Sequence, residues 1–330
     1  MRRRRIQNQG YAVECVAGRA PLLATSGPRL YGGSLGGAAS SLEDRDQLLA
    51  LGGSGAASPN LRSGDQVCLM PRDAVPRRVK SRASAMLERR PACASEDWVS
   101  QLPGLVDAVC EEWRLSLDDE RMAAGAWGVV AWCHTESGLE AALKLCANEE
   151  RLSAETNAML AWVGRPAVRV LAHRPGALLL ERARPGRPSR LAPARLALLL
   201  DALHRPTSAG LRGLGDWRTS IKAAVSQVPS LQMLGRELLK QGLGRPVVAL
   251  HGDLQPANIL EHHGAIAVID PVGISGPREL DVANAALCND WGEEPAARIR
   301  RLAALTGTDP AFALALGQLS AMYAALAPRY

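Results

Sequence analysis

Apolar residues recur at three- and four-residue spacing from Trp98 to Trp113, through Leu102, Leu105, Val106 and Val109, which predicts an amphipathic helix. Shorter apolar runs over Trp127–Trp132 and Leu139–Cys146 flank Thr135-Glu136-Ser137-Gly138 and read as two strands joined by a turn. Glu149 to Trp162 returns to helical spacing, and Ala167–Ala172 and Ala177–Glu181 read as strands around Arg174-Pro175-Gly176. Helical patterns then dominate: Pro193–His204, Trp217–Val228, Leu231–Gln241, Asp281–Cys288, Pro295–Thr306 and Pro310–Ala327. Among them, Pro246–Leu250 reads as a buried strand. Ile259-Leu260 and Ala265–Ile269 form the arms of a hairpin turning at His262-His263-Gly264. The order is a strand-rich first lobe and a helix-rich second lobe, an α+β chain.

Residues 1–94 show no sustained periodicity. Gly32-Gly33-Ser34-Leu35-Gly36-Gly37 and Gly52-Gly53-Ser54-Gly55 are costly to order, and Pro71–Arg90 is basic. This part is expected to be a disordered, low-complexity extension, with Met70 or Met86 as candidate true starts. The expected divisions are 1–94, a lobe over 95–182 and a lobe over 183–330. The net charge of +6 sits in the extension: residues 1–90 carry +8 and the remaining chain −2, so the folded body gives no argument for nucleic-acid binding. Seven cysteines, widely spaced and without a C-x-x-C, suit a reduced cytoplasmic chain with no zinc site. No apolar run has the length of a membrane span.

The densest chemistry is His251-Gly252-Asp253-Leu254-Gln255-Pro256-Ala257-Asn258, with Asp270 twelve residues beyond. A carboxylate and an amide five residues apart, followed by a second carboxylate, repeat the spacing of the protein-kinase catalytic loop and its Mg²⁺ ligand. The hairpin returns Asn258 and Asp270 to one end, near enough to share metal ions. Asp253 would then accept a substrate hydroxyl proton. Taken singly, these are ordinary turn residues. Asp270 is not followed by Phe-Gly, which argues against a Ser/Thr protein kinase.

Only four lysines occur, and Lys144 stands within an apolar strand, Ala141-Ala142-Leu143-Lys144-Leu145. A buried ammonium needs a partner. Glu155 is the expected one, since Glu149 and Glu150 fall in the first turn of the next helix, where they suit its dipole. The bland alternative is a lysine snorkelling at a strand edge. Gly125-Ala126-Trp127-Gly128 is the candidate phosphate turn. Leu178–Ala183 is the candidate connector between lobes, with Glu181 beside the adenine edge. His251 reads as a packed, hydrogen-bonded residue, and His262 and His263 as exposed turn residues.

HGDLQPANIL, AVID-P, ELDVANAAL, the ALKL lysine strand and the LLLER connector resemble the aminoglycoside phosphotransferases, in the branch of streptomycin 6-kinases and hydroxyurea phosphotransferases. The opening Trp98–Asp107 helix, W-x-x-x-L-P-x-L-V-D, is also similar, and the resemblance runs from Trp98 to about residue 320. It implies a bilobal protein-kinase-like fold, ATP and Mg²⁺ as cofactors, and phosphorylation of a small-molecule hydroxyl. It further implies Asp253 as base, Asn258 and Asp270 as metal ligands, and Lys144 on the phosphates. Gln255, Val272 and Pro277 depart from the residues common in relatives. A streptomycin-like acceptor is a polycation, so Asp290, Glu293 and Glu294 are candidate substrate contacts. Their alternative is a solvated loop and a helix cap. Two competing readings are a kinase of another metabolite (an amino-sugar, choline or homoserine) and a non-catalytic nucleotide-binding relative.

Overall fold

Alternation along the strands of the first lobe decides what packs on each face. The computed structural model describes residues 94–326 except 125–126, 205, 207–210 and 212. The expected disordered extension and Gly125 therefore lie outside the described residues. Helix α1 (Glu96–Glu112) starts where the Ser95 hydroxyl caps Trp98 N–H at 3.2 Å. Strands β1 (Ser116–Ala124), β2 (Gly128–His134), β3 (Glu140–Cys146), β4 (Val170–Arg174) and β5 (Ala177–Glu181) form one antiparallel sheet in the order β1-β2-β3-β5-β4. Side chains alternate across it. Val129, Ala131, Leu143, Leu145 and Leu179 meet Leu102, Val106 and Val109 of α1. Ala142, Cys146, Leu178 and Leu180 face the other way, toward α2 (Glu149–Ala161).

Strand β1 has no counterpart in the apolar pattern. It pairs only with β2, with a register shift between Leu117 and Met122. Its sequence runs through four consecutive charged residues, Asp118-Asp119-Glu120-Arg121, which leaves no apolar alternation to read. Strand β4 begins at Val170, and Ala167 makes only an isolated bridge to Val268.

The second lobe holds β6 (Pro185–Pro188), α3 (Pro193–Leu203), β7 (Gly215–Asp216), α4 (Trp217–Gln227) and α5 (Gln232–Gln241). It continues with β8 (Val248–Leu250), β9 (Ile259–His262), β10 (Ala265–Val268), β11 (Ile274–Gly276), α6 (Arg278–Cys288), α7 (Pro295–Thr306) and α8 (Pro310–Leu326). Strands β10-β9-β6 form one small sheet and β7-β11-β8 another. Helix α6 starts at Arg278, a turn earlier than the apolar pattern alone indicates. Trp162, which ends α2, donates its indole N–H to Leu203 O at 3.0 Å and joins a core shared by both lobes. This arrangement is a bilobal protein-kinase-like fold, with a small β-rich lobe and a larger helical one.

Cys110, Cys133 and Cys146 are free thiols. No described helix is long and apolar enough to cross a membrane.

Candidate active site

Strand β8 delivers the chain into a loop held from beneath by α6. The N–H groups of His251 and Gly252 donate to the two carboxylate oxygens of Asp281, each at 2.7 Å. Asp281 also meets the His204 ring at 3.0 Å, and both side chains are buried. Burial works to raise the Asp281 pKa, but His204, His251 and the loop N–H groups outweigh it and hold the carboxyl below its usual range. Asn284 of α6 and Asn289, which caps its end, donate to Gly252 O and Leu254 O. Gly252 has φ +79°, and a Cβ there would lie 2.9 Å from Val272 Cβ, so only glycine fits.

His251 is fully buried and stacks on Trp162 with ring centres 5.9 Å apart. Its Nε2 faces Ile269 O at 3.0 Å, and its Nδ1 accepts Asp253 N–H at 3.3 Å. That pattern fits one neutral tautomer, with the proton on Nε2. Burial lowers its pKa, against the pull of Asp281. The ring thus ties the loop to the segment carrying Asp270.

Asp253 accepts Gln255 Nε2–H at 3.0 Å and Asn258 Nδ2–H at 3.1 Å, both on Oδ2. Its Oδ1 is buried and has no partner among the described residues. Burial raises the Asp253 pKa, with Gln255 and Asn258 opposing. An unpartnered carboxylate oxygen with raised basicity is what a proton acceptor requires. Asn258 ends a 3₁₀ turn over Pro256–Asn258, and its carbonyl accepts Ile269 N–H at 3.0 Å, so Asn258 and Asp270 are brought together. Asp270 has φ +59°, a left-handed conformation that aspartate tolerates better than most side chains.

Lys144 projects from β3 to the same place. Its Nζ donates to Glu155 Oε1 and Oε2 at 2.8 and 2.7 Å and pairs with Asp270 as well. Glu155 is 3% exposed, while Asp270 is 48% exposed, so only the latter is open to a ligand. Burial opposes the Lys144 charge, but Asp270 and Glu155 outweigh it and raise its pKa. Burial pushes Glu155 up to about 7 against the pull of Lys144. In Asp270 the order reverses: Lys144 overcomes burial and lowers the pKa.

Other expected residues are placed differently. Gly128 opens β2, where a Cβ would lie 2.1 Å from Leu145 O, so close strand approach accounts for the glycine. Glu181 closes β5, but its carboxylate is held by Arg169 at 2.9 and 3.1 Å and its N–H by Arg169 O. The N–H groups of Arg182 and Arg184 are likewise donated, to Glu140 O and His262 Nδ1.

His262 is not the exposed turn residue expected. Its side chain is 17% exposed and lies 3.8 Å from Glu181. Glu181, His262 and His263 place ligand atoms within 4.8 Å of one another. However, His262 Nδ1 accepts a hydrogen bond, so Nε2 carries the proton, and Glu181 is already paired. The cluster reads as a hydrogen-bonded hinge rather than a metal centre.

Asp290 is 73% exposed and borders the loop through Asn289. Glu293 pairs with Arg301, and Glu294 caps α7 through its backbone carbonyl; among the described residues neither side chain forms a hydrogen bond or ion pair with Asp253, Asn258 or Asp270. The bracing residues Asp281 and Asn284 did leave a trace: two polar positions three apart on a helix that is otherwise apolar from Leu280 to Cys288.

Residues 112–309 match the aminoglycoside/hydroxyurea antibiotic resistance kinase family. A hydroxyurea phosphotransferase of Kitasatospora aureofaciens is 30% identical over 239 residues, covering 66% of this chain and 70% of that protein. A streptomycin 6-kinase of Streptomyces glaucescens is 30% identical over 222 residues, covering 61% and 71%. Among solved structures, a macrolide 2'-phosphotransferase of Brachybacterium faecium is 17% identical, covers 69% of this chain and 99% of its own, and has a TM-score of 0.47. On the family match and the two relatives, the chain belongs to the aminoglycoside/hydroxyurea antibiotic resistance kinases, phosphotransferases that act on hydroxyl groups of small molecules.

Proposed function

We propose that this chain transfers the γ-phosphate of ATP to a hydroxyl of an aminoglycoside such as streptomycin, in the cytoplasm. The observation that carries the transfer is the buried, unpartnered Asp253 Oδ1 beside Asn258, Asp270 and Lys144. Asp253 accepts the hydroxyl proton as the hydroxyl oxygen bonds to phosphorus. The bond from phosphorus to the β,γ-bridging oxygen breaks, and ADP leaves. Lys144, held by Glu155, supplies positive charge to the phosphates. Residues 95–182 hold the nucleotide in this reading and residues 183–330 carry the catalytic loop. The neighbouring connector amides of Glu181, Arg182 and Arg184 are already donated, so among the described connector residues Ala183 N–H is the candidate donor for the adenine edge.

The Asp270 carboxylate and the Asn258 amide oxygen are hard donors of the kind Mg²⁺ prefers, and the half-exposed Asp270 can exchange its lysine partner for a cation. When bound, Mg²⁺ would neutralise phosphate charge.

The acceptor is tested by ADP release from Mg²⁺-ATP with streptomycin, other aminoglycosides, hydroxyurea and amino-sugars. Turnover with streptomycin is expected. Asp253→Ala should abolish it while ATP binding persists. Silence across the panel with ATP still bound would overturn the aminoglycoside reading. A second reading, a neutral acceptor such as hydroxyurea, is favoured by one observation: the Asp290 and Glu293 carboxylates are paired with Arg298 and Arg301.

A further inference from the structure

Arg151 lies in the first turn of α2, one turn before Glu155 and on the same helix face. It is partly buried, and its guanidinium carbon sits 4.6 Å from the Trp127 ring centre. Trp127 immediately precedes β2. Its carbonyl accepts Ala147 N–H at 3.4 Å and the Cys146 thiol at 3.3 Å, which fixes it against the segment entering α2. Among the described residues no carboxylate forms an ion pair with Arg151. Its charge is nevertheless felt across the cleft: it adds to the pull of Lys144 that lowers the Asp270 pKa, and it opposes the rise that burial imposes on Glu155 and Asp253. The guanidinium is near the acidic centre without being bound by it.

We propose that Arg151 is a second phosphate-binding cation of this site, and that Trp127 is the positioning residue that holds it over the cleft. The inference rests on the phosphotransferase reading above. Lys144 is a single point charge already shared between Glu155 and Asp270, whereas a triphosphate brings several negative charges to the same cleft. A guanidinium offers two parallel N–H groups to phosphate oxygens, which an ammonium does not. Stacking uses its face and leaves those edge N–H groups free, while the indole limits the rotamers it must give up on binding. Trp127 belongs to the candidate turn Gly125-Ala126-Trp127-Gly128, so this arrangement would add a side-chain cation, from the following helix, to the backbone groups of that turn.

The test is equilibrium binding of Mg²⁺-ATP, ADP and adenosine to the full-length chain and to Arg151→Met, Arg151→Lys and Trp127→Leu. Arg151→Met should weaken ATP about 10- to 100-fold, the loss of a charge-assisted contact, and leave adenosine within about twofold. Arg151→Lys should recover part of the loss. Trp127→Leu should shift ATP in the same direction by less, again sparing adenosine. Equal weakening of ATP and adenosine would reduce Arg151 to a structural role, and unchanged ATP binding in Arg151→Met would overturn the inference outright. Should Arg151→Met not fold, Arg151→Lys and Trp127→Leu decide by the same ATP-to-adenosine comparison. Failure of the folded wild-type chain to bind ATP would remove the phosphotransferase reading and this inference with it. ATP binding by the wild type with no Arg151 effect would remove the inference alone.

Discussion

Two buried carboxylates sit beneath one loop and behave in opposite ways. Asp281 accepts from two backbone N–H groups and His204, and its pKa is held low. Glu155 meets a single ammonium, shared with Asp270, and burial pushes it up to about 7. The first centre is closed: every neighbour is part of the fold. The second is open on one side, because Asp270 is half exposed and can leave Lys144 for a ligand. What separates a brace from a binding centre here is how many partners are fixed, since both carboxylates are equally buried.

Removing the brace should have the largest effect. Asp281→Ala leaves two buried N–H groups and the His204 ring without their acceptor. Breaking a buried, hydrogen-bonded charge in this way costs about 3–5 kcal/mol. The free energy of unfolding from urea titration should fall by that amount. A free energy unchanged within about 1 kcal/mol would mean that the loop is held by other contacts and that the comparison fails.

The two centres should also respond to pH with opposite sign. Asp281 has a lowered folded pKa, so its stabilisation is present above its ordinary value of 3.8 and is lost as pH falls through the folded value. Glu155 has a raised folded pKa, so its contribution is fully present below its ordinary 4.5 and is lost as pH rises through about 7. Melting temperature against pH should therefore fall more gently above pH 4.5 in Glu155→Gln than in the wild type. Asp281→Asn should instead flatten the acid side. Identical slopes in both variants would sink the assignment of either shift.

Much of this was legible before any coordinates. His251–Asn258 with Asp270 announced the loop, and an apolar strand interrupted by Lys144 announced its pairing need. The burial of a charge on one strand face is a local signal, and so is a D-x-x-x-x-N spacing. β1 was not legible, because four consecutive charged residues, Asp118 to Arg121, erase the alternation. Nor was the stacking of Arg151 on Trp127, which joins residues 24 apart in sequence through the return of a sheet. His262 looked like a turn residue because Gly264 follows it. The packing of the hairpin against Glu181 is tertiary and leaves no mark in the local pattern.

The smallest expected effect sharpens the contrast at the acceptor side. Both acidic side chains are paired, but Asp290, beside Asn289 and 3.6 Å from Arg298, is the more exposed, while Glu293 is held closely by Arg301. An exposed pair of that kind is worth about 0–1 kcal/mol, so Glu293→Gln should alter stability and streptomycin KM by little, within about threefold. Asp290→Asn should raise KM for a cationic acceptor more than Glu293→Gln does, and leave KM for hydroxyurea, which is neutral, unchanged. Steady-state ADP release with both acceptors separates these outcomes. An equal rise for the two acceptors would mean that Asp290 acts through the loop it borders, since a field effect on a charged ligand cannot act on an uncharged one.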